Sequence, residues 1–453
     1  MLKQACIVLF LLGASGTLHA AEAFPSTYAP FASQPTLLRN ATVLTGDGQR
    51  MEQADLLMAD GKIQWLGSGD IPPGTQEIDA TGRWVTPGLI DVHSHLGVYA
   101  SPSVEAHEDG NEMTDPVTAN VWVEHSIWPQ DPGFGKALAG GVTALQVLPG
   151  SANLFGGRGV TLKNVYSTSY QGMKFPGAPY GLKMACGENP KSVYGERDEL
   201  PSTRMGNVAH YRAQWIAAQN YRDEWALYEE QVAAGDSSIH APLRDLQMET
   251  LAGVLRGDII IHMHCYRADE MMTILALADE FNYRIGTFHH AVEAYKIADE
   301  LAEQRVCGAL WADWWGFKME AYDAIQENIA LVDRPQGSCA IVHSDSPEGI
   351  QRLNQEAAKA LGKARRAGMN IAPEHAIRWI TSNAAKSLGI ESQTGSLAPG
   401  KMADVVVWSS DPFSVYSKAD LVSIDGALLY DRANPALQPV SDFELGQLQG
   451  VTR

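Results

Sequence analysis

Between residues 89 and 344, short apolar runs alternate with helical patterns, and no other feature constrains the fold as tightly. The runs are Leu89–His93, Thr143–Leu148, Val160–Val165, Gly181–Ala185, Ile259–His264, Arg284–His289, Gly308–Trp311 and Ala340–Ser344. Such alternation builds a parallel sheet from βα units. Eight units favour closure into a (β/α)8 TIM-like barrel, an α/β architecture whose active site lies at the C-terminal ends of the strands. An open doubly wound sheet is the alternative, but it carries a glycine-rich phosphate turn after its first strand, and none occurs here. The connection between the fourth and fifth runs spans about 70 residues, far beyond a usual βα loop. Within it, Met205–Ala234 fits one or two long helices.

The two ends of the chain have a different texture. Leu37–Leu44, Ala54–Met58, Lys62–Leu66 and Gln76–Asp79 are short alternating segments separated by Gly- and Asp-rich turns. Asp404–Trp408, Leu421–Ile424 and Ala427–Tyr430 repeat that pattern near the C-terminus. Such segments form small antiparallel sheet. One β-sandwich assembled from both ends is therefore predicted. The resulting division is an N-terminal arm over 21–36, a composite sandwich from 37–85 and 394–430, a barrel over 86–393, and a tail over 431–453.

Chemistry-bearing residues stand at the predicted strand ends. His93 and His95 close the first run at a spacing of two, which puts both imidazoles on one face of a strand. Lys183 lies in the fourth run; His264, His290 and Asp345 end the fifth, sixth and eighth. Four imidazoles, a carboxylate and an amine at one barrel mouth suit a metal-dependent hydrolytic site, since imidazole and carboxylate are good ligands for zinc and similar ions. His264 is preferred to His262 because it lies at the strand end, and His290 to His289 because a helix follows it over 292–301. The unchosen pair fits packed, hydrogen-bonded side chains. His343 shares the face of Asp345 and can support it or a substrate.

These residues carry a resemblance. Val85-Thr-Pro-Gly-Leu-Ile-Asp-Val-His-Ser-His95, Gly140-Gly-Val-Thr143, Thr381-Ser-Asn-Ala-Ala-Lys386 and Gly395-Ser-Leu-Ala-Pro-Gly-Lys-Met-Ala-Asp404 resemble the amidohydrolase superfamily, in its imidazolonepropionase-like and dipeptidase-like branch. The resemblance covers residues 37–430. It implies a distorted barrel with a terminal sandwich, and a divalent metal cofactor, two Zn2+ per chain. His93, His95 and Asp345 would hold one ion and His264 and His290 the other. Lys183 would bridge them as a carbamate, because a plain ammonium would repel both. Glu188 is the competing bridge. A metal-activated hydroxide would attack the carbonyl, with Asp345 acting first as base and then as acid.

The implied substrate is a small amide, peptide or N-acyl amino acid. Asn153, Arg158, Tyr180, Arg204 and Arg267 lie on predicted catalytic-face loops and could hold its carboxylate. The cluster Trp311-Ala-Asp-Trp-Trp315 could wall an apolar or ring-shaped group. Opening of a cyclic amide or imidazolone is the alternative activity. A barrel without catalysis, acting as a binding or scaffold protein, is the rival from another class. A serine hydrolase is disfavoured, since no G-x-S-x-G elbow occurs.

A net charge of −19 argues against nucleic acid and against an anionic membrane surface as partners. The sequence allows a homo-oligomer without requiring one. Lys3, the apolar stretch Ile7–Gly13 and Leu18-His-Ala20 read as a cleavable secretory signal over 1–20, which predicts a periplasmic or secreted enzyme. The four later cysteines, Cys186, Cys265, Cys307 and Cys339, sit in or beside apolar runs and read as small buried hydrophobes. An oxidising compartment would permit disulfides, but the spacing demands none.

Overall fold

A computed structural model describes residues 24–314 and 316–439 of the protein. The signal predicted over 1–20, Trp315 and most of the tail lie outside these residues. Strands β1 (Thr36–Leu44), β2 (Arg50–Ala59), β3 (Lys62–Gly67), β4 (Gln76–Asp79) and β5 (Trp84–Pro87) come first. Next are β6 (Leu89–Ser94), β7 (Val142–Val147), β8 (Phe155–Lys163), β9 (Tyr180–Ala185), β10 (Ile259–Cys265), β11 (Ile285–His290), β12 (Cys307–Leu310) and β13 (Ala340–Val342). The chain ends with β14 (Val405–Trp408), β15 (Ala419–Ile424) and β16 (Ala427–Asp431).

Strands β6 to β13 form an eight-stranded sheet in sequence order. Each overlaps one of the predicted runs, but the third begins five residues earlier than expected and departs from the expected pattern. β8 is antiparallel to both β7 and β9, so the sheet is not built from eight βα units. Period-two alternation reads the same in either direction, and the connections on both sides of β8 hold no helix beyond a 3-10 turn at Tyr170–Gly172. The first and last strands meet through the backbone: the Asp345 N–H donates to the His93 carbonyl at 3.1 Å. The sheet is thus nearly closed.

The two ends of the chain share one sheet. β5 lies between β1 on one side and β14 on the other, so the N-terminal and C-terminal segments are hydrogen-bonded into a continuous surface in the order β16-β15-β14-β5-β1-β2-β3, with β4 beside β1. A buried cluster links this sheet to the barrel. The Lys163 ammonium on β8 donates to Asp425 at 2.7 Å and to Asp404 at 3.3 Å. Removing one member would leave the others buried and uncompensated.

The long connection holds one helix of 30 residues, Arg204–Ala233, flanked by Glu188–Gly195 and Leu246–Arg256. Thr203 caps it by accepting from the Gly206 N–H. Among the described residues, no helix is long and apolar enough to cross a membrane.

The cysteines, which the sequence left open between buried thiols and disulfides, are paired. Cys186 and Cys265 form a disulfide, as do Cys307 and Cys339. Each pair joins the ends of neighbouring parallel strands, with Cα atoms 5.2 and 4.6 Å apart, within the range a disulfide spans.

Candidate metal centre

The site forms where the barrel strands end. Side chains of a strand alternate faces, so the inward register of β6 that presents Asp91 also presents His93 and then His95. In β9 and β10, Lys183 stands opposite His262, and Ala185 opposite His264. Alternation alone would send His289 and His290 to opposite faces. The backbone turns left-handed at His290 (φ 68°) and Ala291 (φ 37°), and the His290 ring reaches the same cluster. Asp345 is also left-handed (φ 49°), held there by its bond to the His93 carbonyl. Non-glycine residues in this region cost energy and gather at functional sites.

The donor atoms converge. His95 Nε2 lies 3.2 Å and His93 Nε2 3.5 Å from Asp345 Oδ1, and His290 Nδ1 lies 3.8 Å from Oδ2. Two sets have their ligand atoms within 4.8 Å of one another: His93, His95 and Asp345, and His93, His290 and His343. The His264 ring centroid is 4.6 Å from that of His290, but His264 belongs to neither set. Lys183 Nζ lies 3.4 Å from His93 Nε2 and donates to the Pro149 carbonyl at 3.0 Å.

Burial sets the protonation of these groups. It holds His93, His264 and His290 far below the ordinary histidine range and pushes His343 down to about 4. It also lowers the Lys183 ammonium to about 8, with Asp345 opposing the shift. For Asp345, burial disfavours the carboxylate, but the His95 hydrogen bond and neighbouring groups, the Lys183 ammonium among them, outweigh it and hold the group below the usual range. Neutral imidazoles beside an ionised carboxylate are a metal-binding set. Both nitrogens of His264 and His343, and Nδ1 of His290, are buried without a hydrogen-bond partner among the described residues. Buried polar atoms are rarely left so. A cation with open coordination positions would satisfy them.

Other predicted residues are engaged elsewhere. Glu188 pairs with Lys318 at 3.0 Å. Arg158 stacks on Trp122 with its guanidinium 4.1 Å from the ring and donates to Thr250. Arg204 bridges Glu270 and Glu320, and Arg267 pairs with Asp269. The amide of Asn153 donates to the carbonyls of Glu112 and Asp115, and the Tyr180 hydroxyl donates to Glu124. None of these belongs to either set of converging donor atoms.

Trp311 stacks on His290, with centroids 4.2 Å apart, and Tyr266 flanks the same ring at 5.5 Å. A groove of about 360 Å³ is lined by Asn111, Ser151, Ala152, Glu188, Asn189, Ser192 and Val193, none of them among the converging donors.

Sequence reasoning assigned no role to Asp91. It is fully buried and accepts from the backbone N–H groups of His93 and Ser344, each at 3.2 Å, and from the Ser344 hydroxyl. Burial pushes its carboxyl up to about 7. Asp91 therefore fastens β6 to the segment carrying Asp345. Its signal was an acid inside an apolar strand, two residues before the first histidine.

Comparison with known proteins gives a consistent picture. The family model described as "Amidohydrolase family" matches residues 330–433. An imidazolonepropionase of Pseudomonas entomophila is 45% identical over 395 residues, covering 81% of this chain and 90% of that one. Amidohydrolase tasK of Hapsidospora irregularis is 31% identical over 442 residues; the match takes in 89% of this chain but only 44% of that longer protein. The crystal structure of an amidohydrolase from Thermotoga maritima superposes with a TM-score of 0.79 at 36% identity, covering 88% of this chain and all of that one.

Proposed function

Because the chain belongs to the amidohydrolase superfamily, in its imidazolonepropionase-like branch, and is a metal-dependent hydrolase of carbon–nitrogen bonds, we propose that it cleaves a small amide, dipeptide or N-acyl amino acid outside the cytosol. His93, His95, Lys183, His264, His290 and Asp345 are the proposed ligands of two zinc ions, with Lys183 carbamylated. The observation that carries this reading is the convergence of His93, His95 and Asp345, whose ligand atoms lie within 4.8 Å of one another.

A bound divalent ion supplies Lewis acidity, polarising a carbonyl and acidifying a water. The chain provides the proton transfers. Asp345 Oδ1 faces His93 and His95, leaving Oδ2 to take a proton from the attacking water and pass it to the leaving nitrogen. Nitrogen is a poor leaving group without that proton. The Asp345 side chain keeps 21% of its surface exposed, so solvent can reach it.

The two disulfides support an exported enzyme, since such bonds persist in oxidising compartments. Trp311 and Tyr266 beside His290 favour a second reading, the opening of a cyclic amide or imidazolone ring. One experiment decides between them. Elemental analysis of the purified protein is paired with turnover assays on dipeptides, N-acyl amino acids, lactams and an imidazolone. Two equivalents of zinc and activity on open-chain amides support the first reading, and activity confined to rings supports the second. Full activity in metal-free protein would overturn both.

A further inference from the structure

Behind the metal-facing side of His93 lies a second, wholly buried set of polar groups. His93 Nδ1 is 3.0 Å from Nδ1 of His289; His289 Nε2 is 3.0 Å from Nδ1 of His262; His262 Nε2 is 3.2 Å from the side-chain amide of Gln146. All four side chains are fully buried or within 1% of it. Each contact joins two nitrogens, so in each one nitrogen must donate and the other accept. Each step of this line joins a ring nitrogen to another ring or to an amide, with no carboxylate among these contacts to favour a second proton on a ring. A neutral imidazole carries one proton, so the direction of one hydrogen bond dictates the next.

Only two directions exist. If Gln146 donates to His262 Nε2, the protons run outward and His93 receives on Nδ1. Its own proton then sits on Nε2, the atom that faces Asp345 and Lys183, and blocks a metal there. If Gln146 accepts instead, the protons run inward: His93 Nδ1–H to His289, His289 Nε2–H to His262, His262 Nε2–H to Gln146. Nε2 of His93 is then bare. The side-chain amide of Gln146 can present either end to His262; with Oε1 turned to the ring it accepts from His262 Nε2–H, and the reading of His93 as a metal ligand selects this direction. Gly181 leaves the room for this meeting; a Cβ there would lie 2.7 Å from His262 Cδ2 and 2.8 Å from Gln146 Nε2.

We propose that Gln146, His262 and His289 form a hydrogen-bonded line that fixes His93 as the tautomer protonated on Nδ1, keeping Nε2 bare for a metal, with Gln146 as the terminal acceptor. These three are positioning residues. The inference rests on the reading of His93 as a metal ligand.

The test measures zinc affinity of the full-length protein by chelator competition, together with 15N spectra of histidine-labelled wild type. Gln146→Met removes the acceptor at similar volume and is expected to weaken zinc binding about 10–100-fold, whereas Gln146→Glu, which can only accept when ionised, is expected to stay within about threefold of wild type. In the zinc-loaded wild type, one metal-bound imidazole should be protonated on Nδ1 and show coupling through a hydrogen bond to a second Nδ1 nitrogen. Gly181→Ala should weaken zinc binding in the same way without altering any member of the line. Equal affinities across all variants, or a zinc-loaded wild type lacking the Nδ1-to-Nδ1 coupling, would overturn the inference alone. A wild type that binds no zinc would overturn the functional reading and this inference with it. The spectrum of the wild type decides even if a variant fails to fold.

Discussion

The backbone N–H of Asp345 donates to the carbonyl of His93 at 3.1 Å, so the two ends of the barrel sheet join at the level of its ligand atoms. Closure and chemistry are therefore coupled: the contact that brings β13 to β6 also puts Asp345 Oδ1 3.5 Å from His93 Nε2 and 3.2 Å from His95 Nε2. The Asp345→Asn variant keeps this backbone contact and an oxygen toward the histidines but loses the proton acceptor. Its kcat should fall about 100–10,000-fold, the range for a general acid–base group, while its zinc content changes little. Elemental analysis beside steady-state kinetics checks both halves.

Lys183 gives a pH-dependent prediction in the metal-free protein. An amine must be neutral to take up carbon dioxide. Burial lowers the Lys183 ammonium from the usual lysine value to about 8, so the neutral amine grows as pH rises through 8. Reconstitution with zinc and bicarbonate should accelerate between pH 7 and about 9 and then level off. Lys183→Ala should lose zinc, with partial recovery on adding short carboxylic acids. Unchanged binuclear occupancy in that variant would remove the bridging role.

The disulfides predict a redox-sensitive fold. The Cys186–Cys265 bond closes a segment with a sequence separation of 79, and Cys307–Cys339 one of 32. In the chain-entropy account each contributes on the order of 4 kcal/mol by restricting the unfolded chain. Denaturant unfolding in strong reductant should show a lower midpoint than in its absence, and the Cys307→Ala/Cys339→Ala variant should reproduce part of that loss. Identical midpoints would show that the bonds do not form.

Much of this architecture was legible because each barrel strand falls on an apolar run of the sequence. The structure brings His93, His95 and Asp345 together where the strand ends put them, and His264 beside His290 but in neither converging set. The reversed direction of β8 could not be read, because alternation carries no polarity and the loops around it lack helical signals. The disulfides were hidden for a different reason: Cys186 and Cys265 become neighbours only once β9 and β10 pair. Side-chain direction at His290 was also beyond the pattern, since it depends on a left-handed backbone that a histidine seldom adopts. The predicted substrate arginines show the limit of loop placement. Arg204 does lie beyond the end of β9, yet its guanidinium is already held by Glu270 and Glu320.

That last cluster supports a prediction about stability. Glu270 stands in the first turn of the helix Ala268–Phe281, and its side chain is 11% exposed. Burial pushes its carboxyl up to about 7; the Glu320 charge adds to the shift and Arg204 opposes it. In the unfolded chain the same group titrates near 4.3. Between these values the folded state binds more protons than the unfolded one, so the Glu270 contribution to stability falls as pH rises from about 4.3 to 7. The Glu270→Gln variant removes that dependence. Relative to wild type it should gain stability across this window, by on the order of 1–3 kcal/mol at pH 8, and the gain should vanish below pH 4. Unfolding of both proteins at pH 4, 6 and 8 measures the difference directly. A variant less stable than wild type at pH 8, with the deficit shrinking toward pH 4, would show that Arg204 wins over burial and holds the carboxylate ionised.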